Sequence, residues 1–261
     1  MPKAKIAAKK PSRGSLPRMS LQEVMNALEL AGSAQTRKTY ARHGASEPMF
    51  GVSFAALKSL RKRIGIDQAL AQALWETGNF DARNLAVKIA DPAGISSQEL
   101  DRWAATPAAR MCGGYVGHLA AESPHGRGKA DQWLAASDDF TRFAGWSLVA
   151  AMAMIDETMA DSWFAERLKQ IEGTIHTAPN SHRWMMNQAI ISIGCRNDAL
   201  RQAAVAAARR IGVVEVDYGD TDCKTPDAVH SIEKAWAHST SKGFASPAAH
   251  ERSRESMRTR C

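Results

Sequence analysis

Several residues and patterns are scarce in this sequence of 261 residues, and each shortage excludes a class of protein. The four cysteines contain no Cys-x-x-Cys pair, so we expect neither a disulfide framework nor a zinc site, and a reducing cytoplasm suits them. No run of 18 apolar residues occurs and the N-terminus lacks an apolar core region, so neither a membrane span nor a secretory signal is expected. Gly-rich phosphate loops and nucleophile elbows are missing, which argues against nucleotide hydrolysis and serine hydrolase chemistry. We expect no cofactor and no metal.

Patterns typical of β-strands are almost absent as well, and only residues 213–218 alternate over a short stretch. From about residue 20 to 238, apolar residues instead recur at three- and four-residue steps, as in Leu21, Val24 and Leu28. This spacing predicts one amphipathic helix after another. Turn signals containing Gly, Asn and Pro separate the helices.

Four segments share a pattern in which a turn is closely followed by an arginine and a helix rich in small residues. They read GNFDARNLAVKIA, TPAARMCGGYVGHLA, SDDFTRFAGWSLVAA and PNSHRWMMNQAIISIG, and their arginines are Arg83, Arg110, Arg142 and Arg183. Each resembles the second helix of an antiparallel pair, and stacked pairs form an α-solenoid with one continuous core. We therefore expect an all-α fold, a curved α-α superhelix of HEAT-like or ARM-like repeats. Because the repeat period is irregular, a helical bundle without repeats is the alternative.

The formal net charge of +7 is unevenly distributed. Residues 1–18 contain six basic and no acidic residues, and residues 238–261 contain five basic and two acidic residues, which leaves −2 for the part between them. We expect a basic disordered tail at 1–18, a helical-repeat domain at 19–237 and a basic, disordered C-terminal tail at 238–261. Such tails either add nonspecific phosphate affinity through counterion release or are simply solvated ends.

The repeated arginines allow two interpretations. Each can tie neighbouring repeats together through pairs with nearby acids such as Asp81, Asp138 or Asp139. Alternatively, the arginines form a row that follows a phosphate backbone along one face of the superhelix. Because an arginine at a helix N-terminus opposes the helix dipole, a local partner is expected in either case.

Short motifs occur in a characteristic order along most of the chain. The segment 40–92 contains Tyr40, then GVS, a helix ending in basic residues, LW, ARNLA and DP. FTRFAGWSLVAA, NQAIISIG and RRIGVVEVDYGDTDCKTPDAVHSIEKA follow. From about residue 35 to 237, this order resembles the DNA alkylation repair (alkylpurine DNA glycosylase) family. The resemblance implies a HEAT-like solenoid whose concave, positively charged face holds duplex DNA, and whose active members excise N3- and N7-alkylated purines.

The chemistry that the resemblance implies needs a carboxylate that stabilises an oxocarbenium-like sugar cation, and aromatic rings near the lesion. At the positions of the family's tryptophan, aspartate and second tryptophan, this sequence has Gly113, Gly117 and Ser192. Tyr115 and His118 are candidate catalytic substitutes, because residues three apart share one side of a helix. A histidine with a pKa near neutrality could donate a proton or contact phosphate. The alternative is a packed tyrosine and an ordinary surface histidine. Further candidates for the aromatic and acidic roles are Trp146, Trp184 and Glu122.

The candidate DNA-binding residues combine one aromatic side chain with basic side chains around it and along the repeats. They are Tyr40, Arg37, Lys38, Lys58, Arg61, Arg83, Arg142 and Arg183. Arg37 and Lys38 place cations beside an aromatic residue, a combination typical of nucleic-acid sites. Lys58 and Arg61 lie near the end of a predicted helix, where the dipole favours cations.

Three functions are compatible with these patterns. The first is a monomeric, cytoplasmic repair protein that binds duplex DNA on a concave solenoid face and excises alkylated purines. The second is a non-catalytic relative that recognises distorted or branched DNA through backbone shape and charge. The third is a protein-interaction scaffold, which the slightly acidic central region keeps open. None of the three involves a membrane.

Overall fold

The computed structural model describes residues 18–107 and 110–260, and every regular element in these residues is a helix. The helices are α1 Leu21–Ala31, α2 Ala34–Arg42, α3 Phe54–Ile64, α4 Gln68–Glu76, α5 Phe80–Ile89, α6 Ser97–Ala104, α7 Arg110–Glu122, α8 Gly126–Leu134, α9 Asp139–Ile155, α10 Asp161–Thr174, α11 Asn180–Gly194, α12 Asp198–Ile211, α13 Ala228–Ser241 and α14 Pro247–Arg252. The predicted tail at 1–18, apart from Arg18, lies outside the described residues, as does the Arg110 side chain.

Neighbouring helices pack as pairs. The second helix of each pair packs on the second helix of the next pair, and we call this series, α5, α7, α9, α11 and α13, the inner row. In this row α5 packs on α7, α7 on α9, α9 on α11 and α11 on α13, while α4, α6 and α8 cover the other side of α5, α7 and α9. One hydrophobic core runs from Val24 in α1 to Trp236 in α13. The predicted all-α superhelix is confirmed. The four arginine-containing segments form α5, α7, α9 and α11, the second helices of their pairs.

A buried carboxylate fixes the loop that precedes α3. Asp81, fully buried in the first turn of α5, accepts hydrogen bonds from three successive backbone N–H groups. The donors are Phe50 (2.7 Å), Gly51 (3.0 Å) and Val52 (2.9 Å). Gly51 has a φ of +77°, and a Cβ there would lie 2.6 Å from a backbone nitrogen of α2, so only glycine fits. The Tyr40 hydroxyl donates to the Val52 carbonyl (2.7 Å), which makes the tyrosine, GVS and FDAR motifs one structural unit.

The prediction of a disordered tail from residue 238 is wrong. Helix α13 continues to Ser241, α14 follows, and residues 253–260, the C-terminal strap, carry side chains that bond to α3, α5 and α7. Three basic residues of this region pair with carboxylates, and one of its acids pairs with an arginine of α3. The pairs are Arg61–Glu255, Arg252–Glu157, Arg258–Glu122 and Arg260–Glu251. Since several partners lie far away in the sequence, counting charges along the tail could not reveal them.

At the centre of the strap is a buried arginine. Arg258 is 2% exposed, and its Nη2 and Nε donate to a Glu122 oxygen at 2.9 and 3.1 Å. Its guanidinium also donates to the Val87 carbonyl, and its own carbonyl accepts from Lys88 Nζ (3.0 Å). The strap therefore connects α5 to α7 through buried charged groups, which need such partners to tolerate removal from water.

We predict that Asp81→Asn lowers the free energy of unfolding by about 2–4 kcal/mol, because an amide replaces a charged double acceptor and leaves buried N–H donors without partners. Urea unfolding measures the change. Asp198→Asn is the control, since this exposed acid also lies in the first turn of a helix. With Asp81 it shares the favourable interaction with the helix dipole, which contributes up to about 1 kcal/mol to stability, but not the three hydrogen bonds that the buried Asp81 accepts. Equal losses in both variants would contradict the role assigned to Asp81.

Candidate nucleic-acid interface

A cleft of about 910 Å³ opens along the inner row. Helices α2, α3, α5, α7, α9 and α11 and the loop at 217–223 contribute to its walls. Its aromatic lining consists of Tyr40, Phe54, Phe80, Tyr115, Phe140, Phe143, Trp184 and Tyr218. Its charged or titratable lining consists of Arg42, His43, His118, Asp139, Asp217 and Cys223. The cleft thus offers a mostly apolar surface rich in aromatic rings, with a few polar groups, as ligand sites generally do.

One wall is a nearly buried aromatic cluster. The Tyr40 ring meets the Phe54 and Phe80 rings edge to face, with centroids 6.2 and 5.4 Å apart. Because only 8% of Tyr40 is exposed and its hydroxyl bonds to the backbone, this tyrosine shapes the wall rather than reaching into the solvent.

A second part of the lining comes from the starts of α9 and α11, and here Phe140 is exposed. The Phe143 and Trp184 rings lie nearly parallel, with centroids 6.5 Å apart and 14° between their planes. Phe140, one turn earlier in α9, is 42% exposed although it is a large apolar side chain. An aromatic surface open to water at this wall is available for stacking.

Tyr115 and His118 line the cleft from α7, as two partly buried side chains. Lys88 Nζ lies 3.8 Å from the centroid of the Tyr115 ring, a cation–π contact. Burial, followed by the charges of Arg258, Lys88 and Arg260, lowers the pKa of His118 to about 4. The expectation of a pKa near neutrality is therefore wrong. At neutral pH His118 is uncharged, so it can exchange hydrogen bonds but brings no positive charge to a phosphate.

The close contact of α7 with α9 explains two of the three positions at which the sequence departs from the family. A Cβ on Gly117 would lie 2.7 Å from the Ala144 carbonyl oxygen and from the Leu148 nitrogen, so this face of α7 has no room for a carboxylate. A Cβ on Gly113 would lie 3.3 Å from the Phe143 ring, which occupies the space that a tryptophan would need. Ser192 is partly buried in α11 and does not line the cleft.

Arg83 and Arg183 bond to backbone carbonyls close to their own helices. Arg83 Nε donates to the Trp75 carbonyl in α4 (3.3 Å), and its guanidinium lies 5.4 Å from the centroid of the Trp75 ring. Arg183 donates to the carbonyls of Ala178 (2.9 Å) and Glu215 (3.4 Å). Each arginine thus has a local partner, as expected, but that partner is a backbone carbonyl and not one of the acids that the structural interpretation named. Contact of these arginines with DNA stays a prediction.

The other predicted DNA-binding cations are divided between ion pairs and open surface. The ion pairs are Arg37–Glu47, Arg61–Glu255 and Arg142–Asp139. Lys38 is exposed and Lys58 is partly buried. Of the eight predicted residues, all of them described by the structure, only Tyr40 lines the cleft. Trp184, an aromatic candidate from the sequence, does line the cleft, together with Phe140, Phe143 and Tyr218, which the sequence did not single out.

The helical period explains why the aromatic wall was missed. Phe143 follows Arg142 and Trp184 follows Arg183, and adjacent residues of a helix point about 100° apart. The repeat pattern draws attention to the arginines, but in both helices the residue that follows the arginine is the one that lines the cleft. Of the remaining candidates, Trp146 is buried in the core and Glu122 binds Arg258 in the strap.

Within residues 18–107 and 110–260, no group of three His, Cys, Asp or Glu side chains is arranged to hold a metal ion. In the same residues, no helix combines the length and apolar character that crossing a membrane would require.

The chain belongs to the family described as DNA alkylation repair enzyme, whose sequence profile matches residues 24–231. It is 27% identical over 214 residues to the uncharacterized protein Lmo0209 of Listeria monocytogenes, covering 80% of this chain and 93% of the relative. It is also 27% identical over 216 residues to the uncharacterized protein Lin0241 of Listeria innocua, with the same coverage of 80% and 93%. One solved structure is described as "a new family of proteins related to the HEAT-like repeat DNA glycosylases with affinity for branched DNA structures". It superposes with a TM-score of 0.76 at 32% identity, over 87% of this chain and 96% of that one.

We predict that Gly117→Ala lowers the free energy of unfolding by about 1–3 kcal/mol, as overpacking of a tight contact does. Gly117→Asp, which would restore the family's acid, should destabilise the fold further instead of creating an active site. Thermal unfolding compares both with Gly128→Ala, a control at an exposed helical glycine whose Cβ would meet nothing within 4 Å. The control should gain about 0.5–1 kcal/mol. A stable Gly117→Asp protein would contradict the geometry.

We also predict a pH dependence from His118. Since its pKa in the folded protein is about 4, below the ordinary 6.5, the unfolded chain binds this proton more readily between these values. The wild type should therefore lose stability as the pH falls from 6.5 towards 4, and His118→Gln should lose less over the same window. Urea unfolding at several pH values tests this, with the exposed His230 as the His230→Gln control. Parallel profiles for the wild type and His118→Gln would contradict the shift.

Proposed function

We propose that this protein binds DNA at the aromatic cleft and recognises branched or distorted DNA, without excising alkylated purines through the carboxylate that its family uses. The observation that carries the proposal is the contact at Gly117. Here the backbones of α7 and α9 approach so closely that a carboxylate cannot be accommodated, whereas the cleft beside them remains open and aromatic.

Binding to DNA is supported by membership of the DNA alkylation repair enzyme family and by the likeness to a structure whose description includes affinity for branched DNA. The cleft adds a physical reason, because exposed aromatic rings next to basic groups suit nucleic acids. Arg42 is exposed at the end of α2 and lines the cleft beside His43. At that position the helix dipole favours a cation.

The charges of the described residues favour recognition of shape over simple phosphate neutralisation. Arg37, Arg61 and Arg142 are already paired with carboxylates, so using them for phosphates would require breaking ion pairs. Affinity that depends on few phosphate contacts changes little with salt. Preference for one DNA geometry then comes from how well the nucleic acid fits the cleft.

Excision by a rearranged site is the second candidate function, and one observation favours it. Asp139 and Asp217 both line the cleft, close to the aromatic wall that includes Phe140 and Trp184. A carboxylate and aromatic rings are the groups that the family's chemistry requires. Asp139, however, is paired with Arg142, and this pair would weaken its stabilisation of a sugar cation.

The decisive experiment measures binding and excision with the same full-length protein. A labelled four-way junction and a linear duplex with the same arm sequence are titrated by fluorescence anisotropy, and release of methylated purines is followed from alkylated duplex. We expect at least about tenfold tighter binding to the junction and no release above the rate without protein. Release that Asp139→Asn abolishes would establish the second candidate. Absence of binding to either DNA would favour a protein-interaction scaffold.

A pair of variants tests whether the cleft is the DNA-binding surface. Arg42→Ala should weaken junction binding about three- to tenfold, as loss of one phosphate contact would. Arg209→Ala is the control, because Arg209 is also an exposed cation in the last turn of a helix but does not line the cleft. If both variants bind like the wild type, the cleft is not the surface used.

A further inference from the structure

We propose that the cleft receives unpaired nucleotides of branched DNA, which stack on the aromatic wall formed by Phe140, Phe143 and Trp184. This inference rests on the proposed function, since it names the part of a branched DNA that enters the site. Unpaired nucleotides are the chemical feature that a flap or an imperfect junction has and a continuous duplex lacks.

The size of the cleft supports this choice of ligand. A volume of about 910 Å³ lies within the range of roughly 300–1,000 Å³ typical of sites for small molecules, and a nucleotide is a molecule of that size. A double helix with both strands stacked is far larger than such a space. The space inside the cleft therefore suits single nucleotides better than it suits a duplex arm.

The aromatic wall supplies the faces that a base needs. Phe140 exposes 42% of its surface to water and Trp184 is partly buried, whereas Phe143 is 5% exposed and supports the wall through its nearly parallel contact with the Trp184 ring. Stacking of a base on an aromatic ring is tolerant of sequence, because every base has a π face. Covering Phe140 with a base also removes apolar surface from water.

The polar groups of the cleft suit a base better than a phosphate. His118 is uncharged at neutral pH and lines the cleft beside Tyr115, so it offers hydrogen bonds without charge. Asp139 and Asp217 add acceptors that repel phosphates but accept from the exocyclic amino groups of bases. Arg42 and His43, both exposed at the end of α2, are the groups placed to meet the backbone of the entering strand.

The test uses two junctions that differ only at the branch point. One is fully paired, and the other carries two unpaired nucleotides, the first of which is the fluorescent base 2-aminopurine. We expect the second junction to bind roughly five- to hundredfold tighter, the gain expected from stacking one base, and its 2-aminopurine fluorescence to fall on binding. A fully paired junction with 2-aminopurine inside an arm should show no such change.

A matched pair of variants assigns the effect to the wall. Phe140→Ser should remove the quenching and most of the gain, so that the two junctions bind with similar affinity. Leu30→Ser is the control, since Leu30 is 90% exposed and lies outside the cleft. It should change neither signal. Thermal unfolding of both variants checks that each protein remains folded.

The outcomes separate this inference from the proposed function. Equal affinity for the two junctions with unchanged 2-aminopurine fluorescence would overturn the inference, while preference for junctions over duplex would still support the proposed function. Quenching that persists in Phe140→Ser would also overturn it, because the base would then stack elsewhere. Failure to bind any junction would overturn the proposed function itself.

Discussion

The close approach of α9 to its neighbours is the constraint on which the rest of the structure depends. Gly117 brings the backbone of α7 against α9, and the Ser147 hydroxyl donates to the Gly114 carbonyl (2.7 Å) across the same contact. On the other side, a Cβ on Gly145 would lie 3.1 Å from the Leu134 nitrogen of α8. Because glycine allows these distances, α9 sits deep in the inner row and carries Phe143 to the cleft. The same contact that builds the cleft excludes the family's acid from it.

The second constraint is the strap, which bonds to α5 and α7, two of the helices that line the cleft. The strap lies outside residues 24–231, the part matched by the family, yet Arg258 fixes Glu122 at the end of α7 and its carbonyl binds Lys88. Lys88 in turn contacts the ring of Tyr115. Burying charged side chains is costly without partners, so the contacts of this cluster have to form together. Burial first, and the charges of Arg258, Lys88 and Arg260 after it, lower the pKa of His118, so the cluster adds to the effect that leaves this cleft residue uncharged at neutral pH.

The sequence predicted the helices, their pairing and the family because these depend on local spacing and on the order of motifs. Asn79, for instance, caps α5 at a predicted turn. Partners far apart in sequence could not be predicted in this way, since nothing near Arg258 points to Glu122, 136 residues earlier. The repeated arginines whose side chains the structure describes lie on helices that line the cleft, but they do not face it. Phe143 faces it instead, since it follows Arg142 by one residue and therefore points in a different direction from the helix axis. The positions of the helices along the chain were therefore predictable from the sequence. Which side chains of each helix face the cleft depends on how the helices pack, and the sequence pattern did not reveal it.

A solenoid can lose one activity without losing its surface, because function depends on sites and not on the fold. Gly117, at the position where the resemblance places the family's acid, carries no charge and allows a close contact between α7 and α9. Restoring the acid alone would then separate α7 from α9 and disturb Phe143, which is part of the surface that remains. The close contact between α7 and α9 therefore accounts both for the aromatic lining at Phe143 and for the absence of a carboxylate at position 117. Excision at this cleft would therefore need an acid from outside this contact, and Asp139 and Asp217 both line the cleft.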